Sequence, residues 1–459
     1  MQIVPGEFQA QIATRCQLES FAMATFAAGE GGRVPRSVVD LLCELIAQPS
    51  VNPRLAPTGA SEAGEQRITE WLARFAADAG WRWGLQPVEP GRSNFFALIP
   101  GGRGDTLLWE VHQDTVSVQG MTVQPFEAAV RDGCVYGRGA CDVKGSMAAM
   151  LAALLRVSLE PTIRRPTVLF ACSINEECGF SGARAMAELW RSDNDDVSSP
   201  VVSNSREAHA SGILPLAPPF EGGGELSLRE IAALHPTAAL VAEPTELNVV
   251  VAHRGVARWQ CTVHGRAAHS SRPEEGANAV YAMSRVVQLI EQFHRETLAS
   301  RLADPLCGAS TACVTTFQGG TGPNTIPDLA VIDVDRRLCP DETPEAAYRE
   351  LVTWLDERAE LGECRLEHHA PWMQSRGLHF AANREWAEQL AAVVRTIGIE
   401  SQLMGVPYGT NAASIAAAGI PTAVLGPGSI AQAHTVDEWI AVEQLELAVE
   451  IYYRIACGA

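Results

Sequence analysis

Short apolar runs that alternate with amphipathic segments are the feature that most limits how this chain can fold. Four of them are TLLWEV (106–111), TVLFACSI (167–174), AALVAE (238–243) and TAVLG (422–426). A strand that is apolar along most of its length is buried on both faces, as in a parallel sheet. Segments typical of helices, such as SMAAMLAALLRV and ARAMAELW, lie between the runs. The pattern predicts an α/β fold with a mostly parallel sheet flanked by helices.

The pattern changes between residues 254 and 371. There the segments follow the order strand, helix, strand, strand, helix, strand, beginning with the alternating segment ARWQCTVHG. This order is the ferredoxin-like pattern. The chain has 459 residues, more than the roughly 250–300 that one hydrophobic core usually serves. We therefore predict a catalytic domain at 36–253 and 372–459, with a ferredoxin-like α+β dimerisation domain inserted at 254–371.

Two segments have little periodicity. Residues 1–35 are predicted to be an N-terminal arm. Residues 192–226 are rich in Ser, Asp, Pro and Gly, and are predicted to be a long loop inserted in the catalytic domain.

The net charge limits the partners of the protein. It is −19, from 54 acidic and 35 basic side chains, and this charge repels nucleic acids and anionic membrane surfaces. We find neither a signal peptide nor the apolar run of roughly 18 residues that a membrane helix needs. The twelve cysteines contain no CxxC pair, which favours reduced thiols. A cytoplasmic protein is expected.

Side chains that can bind metal ions follow the predicted parallel strands. They are His112 and Asp114 after the first run, Asp142 before a helix, Glu176 and Glu177 after the second run, Glu243 at the end of the third and His434 after the fourth. Open α/β sheets bind ligands at the carboxyl ends of their strands. These residues are therefore expected to meet at one edge of the sheet.

Each residue alone has a simpler explanation. Asp142 and the pair Glu176 and Glu177 could stabilise the positive N-termini of the helices that follow. His112 could be a buried core histidine, and Asp114 could be a turn residue. Because the motifs recur at the same position relative to a strand, we interpret them together as one ligand set.

Imidazole and carboxylate groups suit zinc, cobalt or manganese, and a carboxylate can bridge two ions roughly 3.5–4 Å apart. A water shared by the ions then ionises near neutral pH and becomes the nucleophile. Of two adjacent glutamates, one can bind metal while the other takes the proton from that water. Asp114 can accept a hydrogen bond from the ring nitrogen of His112 that is not on the metal. We expect two divalent ions per chain, with zinc first and cobalt or manganese as alternatives.

Nine motifs together resemble one family of metallopeptidases. They are VHQDTV, GRGACDVKGSMAAM, NEECGFSGA, AEPTELNVVVAHRG, HGRAAHSSRPEEGANAV, GGTGPNTIP, DRRLCP, YGTNAAS and GPGSIAQAHTVDE. The family includes acetylornithine deacetylase, succinyl-diaminopimelate desuccinylase, carboxypeptidase G and aminoacylase. The resemblance runs in order from about residue 38 to the end, except in the insertion at 192–226.

The resemblance implies a role for each candidate ligand. Asp142 would bridge the two metals, and the peptide bond after it would be cis. The remaining roles follow in the same way: His112 and Glu243 complete one metal site, Glu177 and His434 complete the other, Glu176 is the general base and Asp114 orients His112.

The resemblance also implies a dimer formed by the inserted domain. His269 in AAHSSRP would reach the active site of the partner chain and stabilise the oxyanion. Asn324 in GPNTIP and Arg337 in DRRLCP match substrate-holding positions, and Gly409 and Thr410 in YGTNAAS are further candidates. Outside these motifs, His269 and Arg337 would be interpreted as ordinary surface residues.

Three positions depart from the commonest family pattern. Gln113 replaces a small hydroxyl or apolar residue, Cys141 precedes the bridging aspartate, and Asn411 stands where an acidic residue is usual. None of the three removes a ligand. In the family, the position of Asn411 lies near the substrate pocket, so the departure bears on specificity.

We therefore expect a metal-dependent amidohydrolase that acts on a small N-acyl amino acid or small peptide. An acetylornithine deacetylase-like enzyme is the first interpretation, because a glutamate at position 243 resembles that branch, the desuccinylases and carboxypeptidase G more than the dipeptidases. A desuccinylase or a carboxypeptidase G-like peptidase is the alternative. A non-catalytic protein that binds an amino-acid derivative is an alternative of another class.

Overall fold

The computed structural model of the chain describes residues 36–160, 164–191 and 224–458. The predicted arm at 1–35 lies outside the described residues, as do residues 192–223 of the predicted insertion. Within the described ranges, no helix is both long enough and apolar enough to cross a membrane.

The described residues form α-helices and strands throughout their length. The α-helices are α1 (Val38–Ile46), α2 (Gln66–Ala79), α3 (Lys144–Ser158), α4 (Ser181–Ala187), α5 (Leu228–Ala232), α6 (Ala279–Gln292), α7 (Pro344–Arg358), α8 (Phe380–Arg395), α9 (Ala412–Ala416) and α10 (Val442–Cys457). The strands are β1 (Arg82–Glu89), β2 (Arg92–Ile99), β3 (Thr106–His112), β4 (Ala129–Arg131), β5 (Cys134–Tyr136), β6 (Thr167–Ser173), β7 (Ala238–Val241), β8 (Val249–His253), β9 (Gly255–His264), β10 (Ala268–His269), β11 (Thr311–Gly319), β12 (Thr325–Ile326), β13 (Leu329–Leu338), β14 (Arg365–His368), β15 (Met373–Ser375), β16 (Leu403–Val406), β17 (Thr422–Val424) and β18 (Trp439–Ala441).

The larger sheet has the strand order β1-β2-β6-β3-β7-β17-β8-β16. Its four central strands, β6, β3, β7 and β17, are parallel to one another, and β16 is parallel to β8. The pairs β1 with β2, β2 with β6 and β17 with β8 are antiparallel. The predicted mostly parallel α/β sheet is confirmed, and the four apolar runs form its four central strands.

The central strand β3 shows how this sheet is buried. All seven of its residues are buried. On one face, Leu107, Trp109 and Val111 pack in a core with α1, α2, α3, α8 and α10. On the other face, Leu108 packs in a second core with α4, α5 and α9. Since both faces are covered, the ends of the strands are the part of this sheet where polar groups can meet a ligand.

The smaller sheet has the order β11-β13-β9-β14 and is antiparallel throughout. Helices α6 and α7 pack on one face of it. Both the chain order of its elements and the strand order are ferredoxin-like, as predicted. Strand β15 also pairs with β9, so the small sheet extends past residue 371, where the sequence placed the end of the inserted segment. The division into domains stays a prediction.

A third, antiparallel sheet joins two distant parts of the chain. It has the order β18-β5-β4. Strand β5 precedes Asp142 by a few residues, and β18 follows His434 by a few residues. The sheet therefore places the loop of Asp142 beside the loop of His434.

Candidate metal centre

The predicted ligands do meet at the carboxyl ends of the four central parallel strands. His112 is the last residue of β3, and Glu243 follows β7 by two residues. Glu177 and His434 lie in the loops after β6 and β17, and Asp142 lies in the turn before α3. Each candidate therefore reaches the same edge from a different element.

Asp142 lies between the two histidines. Its Oδ1 is 3.0 Å from Nε2 of His112, and its Oδ2 is 3.3 Å from Nε2 of His434. Glu177 Oε2 is 3.1 Å from the same nitrogen of His434. A carboxylate that presents one oxygen to each side has the arrangement needed to bridge two metal ions.

The five predicted ligands form two groups that share one residue. Ligand atoms of His112, Asp142 and Glu243 lie within 4.8 Å of one another, and so do those of Asp142, Glu177 and His434. The sharing of Asp142 means that two ions could be held side by side. The peptide bond between Asp142 and Val143 is cis, as the sequence resemblance implied.

The cluster is rich in negative charge. Among the described residues, the only basic side chains within 4.0 Å of its carboxylates are the two histidines. The carboxylates are those of Asp114, Asp142, Glu176, Glu177 and Glu243. Oε1 of Glu177 is also buried without a hydrogen-bond partner. A buried carboxylate needs a donor or a cation, so these residues fit a pair of divalent ions.

The pKa values of these groups agree with this interpretation. Burial raises the pKa of Glu176 and of Glu243 well above the usual value. Burial and the charge of Asp142 raise the pKa of Glu177 to about 7. Although burial opposes the shift, hydrogen bonds to the two histidines lower the pKa of Asp142. Hydrogen bonds to Asp142 and Glu177 raise the pKa of His434 to about 11. Ionising the carboxyl groups together therefore requires additional positive charge, which divalent cations supply.

Asp114 contacts His112 in a different way from that expected. Nδ1 of His112 is 2.9 Å from the backbone carbonyl of Asp114, whereas the carboxylate Oδ1 of Asp114 is 3.7 Å away. The expected hydrogen bond from the ring nitrogen of His112 to the Asp114 carboxylate is therefore not formed. Because a carbonyl oxygen only accepts, Nδ1 donates to it, and Nε2 is the ring nitrogen that faces the cluster, 3.0 Å from Asp142 Oδ1.

The Asp114 carboxylate turns instead toward the loop of the two glutamates, because three donors converge on it. They are the backbone N–H groups of Glu176 (3.0 Å) and Glu177 (3.1 Å) and the side-chain amide of Asn52 (2.7 Å). Asn175, just before them, has φ of 60°, a left-handed conformation that asparagine adopts more readily than most residues. This sharp turn after β6 aligns the two N–H groups with one carboxylate.

His269, predicted to be catalytic, and Asn324, predicted to bind the substrate, lie in the segment 254–371, away from the five ligands in sequence. His269 is exposed on β10, which pairs with β12, and its Nδ1 is 2.7 Å from the hydroxyl of Ser271. The carbonyl of Asn324 accepts the N–H of Ser270 at 2.9 Å, so His269 and Asn324 are neighbours. None of the hydrogen bonds that His269 makes with described residues reaches the ligand cluster.

Three more predicted residues have separate surroundings. Arg337 on β13 donates from Nε to Asp335 Oδ1 at 2.8 Å. A side chain at Gly409 would meet the ring of Phe180, in the loop after the two glutamates, at 3.8 Å. Thr410 is buried, and its hydroxyl accepts the N–H of Ala412 at 3.1 Å.

Asn411 is fully buried, and its side-chain amide contacts two strands of the larger sheet, β3 and β6. Its Nδ2 donates to Glu110 Oε1 at 3.0 Å and to the hydroxyl of Ser173 at 2.9 Å. Glu110 on β3 is also fully buried. At this position an amide supplies two donors that a carboxylate lacks, which accounts for an asparagine here.

Four polar residues around the cluster were not predicted from the sequence: Asn52, Glu65 and Glu438, which are buried, and Tyr408, which is half-buried. Burial and the nearby acidic cluster raise the pKa of the Tyr408 phenol. Glu65 accepts the N–H of Asn175 at 3.2 Å, and Glu438 binds the loop of Asp142. Tyr408 and Glu438 lie within or beside the sequence motifs, so these motifs could have identified them. Asn52 and Glu65 follow none of the apolar runs, so no signal in the sequence marked them.

Comparisons with known proteins identify the family. Residues 108–457 match the model of Peptidase family M20/M25/M40. Acetylornithine deacetylase from Edwardsiella ictaluri is 28% identical over 414 residues, which cover 89% of this chain and 94% of that protein.

Two solved structures share the fold. The M20 family metallo-carboxypeptidase Sso-CP2 from Sulfolobus solfataricus has a TM-score of 0.67 at 15% identity, over 92% of this chain and 99% of that one. The dinuclear metal binding peptidase YxeP of Bacillus subtilis has a TM-score of 0.59 at 14% identity, over 92% of this chain and 96% of that one. The family match covers most of the chain and includes every predicted ligand. The chain therefore belongs to peptidase family M20/M25/M40, and it is a metal-dependent hydrolase that acts on amide bonds.

Proposed function

We propose that this protein removes the acyl group from a small N-acyl amino acid in the cytoplasm, as an acetylornithine deacetylase-like enzyme. The observation that supports hydrolysis most directly is the pair of ligand groups that share Asp142, with Glu176 beside them. The similarity to acetylornithine deacetylase over 89% of the chain supports the substrate class. The complete ligand set argues against the alternative of a non-catalytic binding protein.

The site would hold two divalent ions, with zinc expected first and cobalt or manganese as alternatives. His112, Asp142 and Glu243 would hold one ion, and Asp142, Glu177 and His434 would hold the other. When bound, the ions polarise the amide carbonyl and lower the pKa of a bound water. The hydrogen bond from Nδ1 of His112 to the carbonyl of Asp114 supports this assignment, because it orients the ring so that Nε2 is the nitrogen on the side of the ligand groups.

Glu176 would act as the general base. It belongs to neither ligand group, its side chain is buried, and no described residue donates a hydrogen bond to its carboxyl group. It would take a proton from the attacking water and deliver that proton to the leaving amine. Asp114 would position it, because the Asp114 carboxylate binds the backbone N–H groups of both glutamates.

The substrate would be held between two chains of a homodimer. His269 is exposed, and its hydrogen bonds are local, which leaves its Nε2 available to a neighbouring chain. The partner subunit's His269 would stabilise the oxyanion. Asn324 and Arg337 would bind the substrate, with the terminal nitrogens of the guanidinium on its carboxylate, and Gly409 and Thr410 would line the pocket.

A panel of substrates tests this proposal. The purified protein, loaded in turn with zinc, cobalt and manganese, is assayed against N-acetylornithine, other N-acetyl amino acids, N-succinyl-diaminopimelate, an N-acyl glutamate and dipeptides. The highest kcat/KM is expected for N-acetylornithine. A preference for the succinyl substrate or for the acyl glutamate would favour the desuccinylase or the carboxypeptidase G-like alternative. Binding of these compounds without turnover of any would refute the assignment as a hydrolase.

A further inference from the structure

Glu438 is a buried carboxylate beside the metal centre to which the proposed function gives no task. It lies between His434 and β18, and it is fully buried, with a relative exposure of 0%. It belongs to neither ligand group. A carboxylate removed from water in this way is costly unless donors satisfy both oxygens.

Four donors bind the two oxygens of Glu438. Its Oε1 accepts the backbone N–H groups of Cys141 and Asp142, both at 2.9 Å. Its Oε2 accepts the backbone N–H of Gly139 at 3.0 Å and the guanidinium of Arg138 at 2.7 Å. An ionised carboxylate has about four acceptor positions, so this one is fully used, and all four donors belong to the loop that presents Asp142.

The backbone of Glu438 extends this connection. Its carbonyl accepts the N–H of Gly137 at 3.0 Å, and β18 continues the contact by pairing with β5. His434 lies four residues before Glu438 in the same segment. One residue therefore ties the loop of Asp142, which belongs to both ligand groups, to the segment of His434, which belongs to one.

We propose that Glu438 is a positioning residue that holds these two loops in the metal-binding arrangement before the ions bind. This inference rests on the proposed metal centre. A loop that must be ordered when a ligand binds lowers the affinity by the entropy it loses, and prior ordering removes that cost. Because Asp142 would touch both ions, the loss of Glu438 weakens both metal sites.

The substitution Glu438→Gln tests the proposal. Glutamine has the same size as glutamate, but its NH₂ group is a donor. It would face two of the four donors that bind the carboxylate of Glu438, where an acceptor is needed. Zinc binding by the metal-free protein is measured in competition with a chromogenic chelator. Removing a group that orients a metal ligand usually costs about 10–100-fold in affinity, so both dissociation constants are expected to rise by about that factor. His434→Ala, in contrast, removes a ligand from one group and should weaken one site much more than the other.

Glu342→Gln is the matched control. Glu342 accepts the backbone N–H of Cys339 and the guanidinium of Arg336, both at 2.8 Å, but it lies beside the smaller sheet. Its loss should lower the unfolding temperature and leave both zinc dissociation constants at the wild-type values. A general loss of stability is thereby separated from a loss of positioning.

The outcomes distinguish this inference from the function on which it rests. A wild-type chain that binds fewer than two zinc ions refutes the proposed metal centre. A wild-type chain that binds two, with unchanged affinities in folded Glu438→Gln, overturns the positioning role alone. Should Glu438→Gln fail to fold, Arg138→Lys replaces it, because lysine keeps the charge and loses the fork geometry of the guanidinium. A several-fold rise in both dissociation constants is then expected, and unchanged constants overturn the proposal.

Discussion

The adjacent glutamates Glu176 and Glu177 allow two isosteric substitutions with opposite expected results. Both backbone N–H groups bind the carboxylate of Asp114, at 3.0 and 3.1 Å, so the two backbones are held alike. Glu177 Oε2 lies 3.1 Å from Nε2 of His434 within one ligand group. Glu176 belongs to neither group. We therefore expect Glu176→Gln to abolish proton transfer and Glu177→Gln to weaken metal binding.

The magnitude for Glu176→Gln follows from its role. General acid–base catalysis contributes about 10²–10⁴-fold, which corresponds to about 2.7–5.5 kcal/mol in the activation free energy. Glu176 would serve both the attacking water and the leaving amine, and its buried carboxyl group is held away from solvent. We therefore expect the upper part of this range for the fall in kcat, with two metal ions per chain retained.

The assay combines steady-state kinetics on the best N-acyl amino acid with metal analysis of the same preparations. Glu177→Gln is the control, because it changes the same chemical group one residue away. It should bind the second ion weakly and recover part of its activity at high metal concentration, whereas Glu176→Gln should not respond to added metal. If Glu176→Gln kept kcat within about tenfold of the wild type, the magnitude expected for a general base would be contradicted.

Three further predictions concern other parts of the molecule. His269→Ala and Glu176→Gln chains, each nearly inactive alone, should give about one quarter of wild-type activity when they are refolded together. The reason is that half of the dimers are mixed, and each mixed dimer has one complete site of two. Activity no higher than the sum of the separate variants would contradict a shared site. Burial lowers the pKa of His253 from 6.5 to about 4, so the neutral imidazole contributes fully to stability above pH 6.5. This contribution is lost as the pH falls toward 4, and the free energy of unfolding should drop by about 3 kcal/mol, at about 1.36 kcal/mol per pKa unit. Urea unfolding at pH 7 and pH 4.5 should show a smaller pH dependence for His253→Gln, and equal pH dependences would refute this. Asn411→Asp removes two hydrogen-bond donors and places a second carboxylate beside Glu110. The free energy of unfolding, measured by chemical denaturation, should fall by about 3–5 kcal/mol at pH 7. A fall of less than about 1 kcal/mol would be inconsistent with the buried contact between Asn411 and Glu110.

The sequence predicted the four central strands because each is apolar along most of its length, as a strand buried on both faces must be. The order of segments between 254 and 371 predicted the smaller sheet, since period-two and helical patterns differ clearly there. The hairpin of β1 and β2 was not predicted. Its residues alternate less regularly and include Pro87 and Gly84, so local pattern alone did not identify the two strands.

The meeting of His112, Asp142, Glu243 and the other candidates was also predictable, because parallel strands end at one edge and bring together whatever follows them. The roles of the individual ligands depended on the resemblance of the motifs to a family, and they stay predictions. The contact of Asp114 was predicted wrongly in detail. Two residues of spacing permit either its carboxylate or its carbonyl to reach His112, and the competing donors on the glutamate loop decide between them.

What the sequence determined by itself is therefore the four central strands of the larger sheet, the strands of the smaller sheet, and the chemical character of the edge where the central strands end. These follow from local patterns of apolar and polar side chains. Only the tertiary structure decided which groups hold the ligand loops in place. Glu65 accepts the N–H of Asn175 from 110 residues away, and Glu438 accepts the N–H groups of Cys141 and Asp142 from about 300 residues away. The physical reason is that these contacts are made to backbone N–H groups. Every residue except proline has one, so no side-chain pattern in the sequence marks which N–H a distant carboxylate will meet.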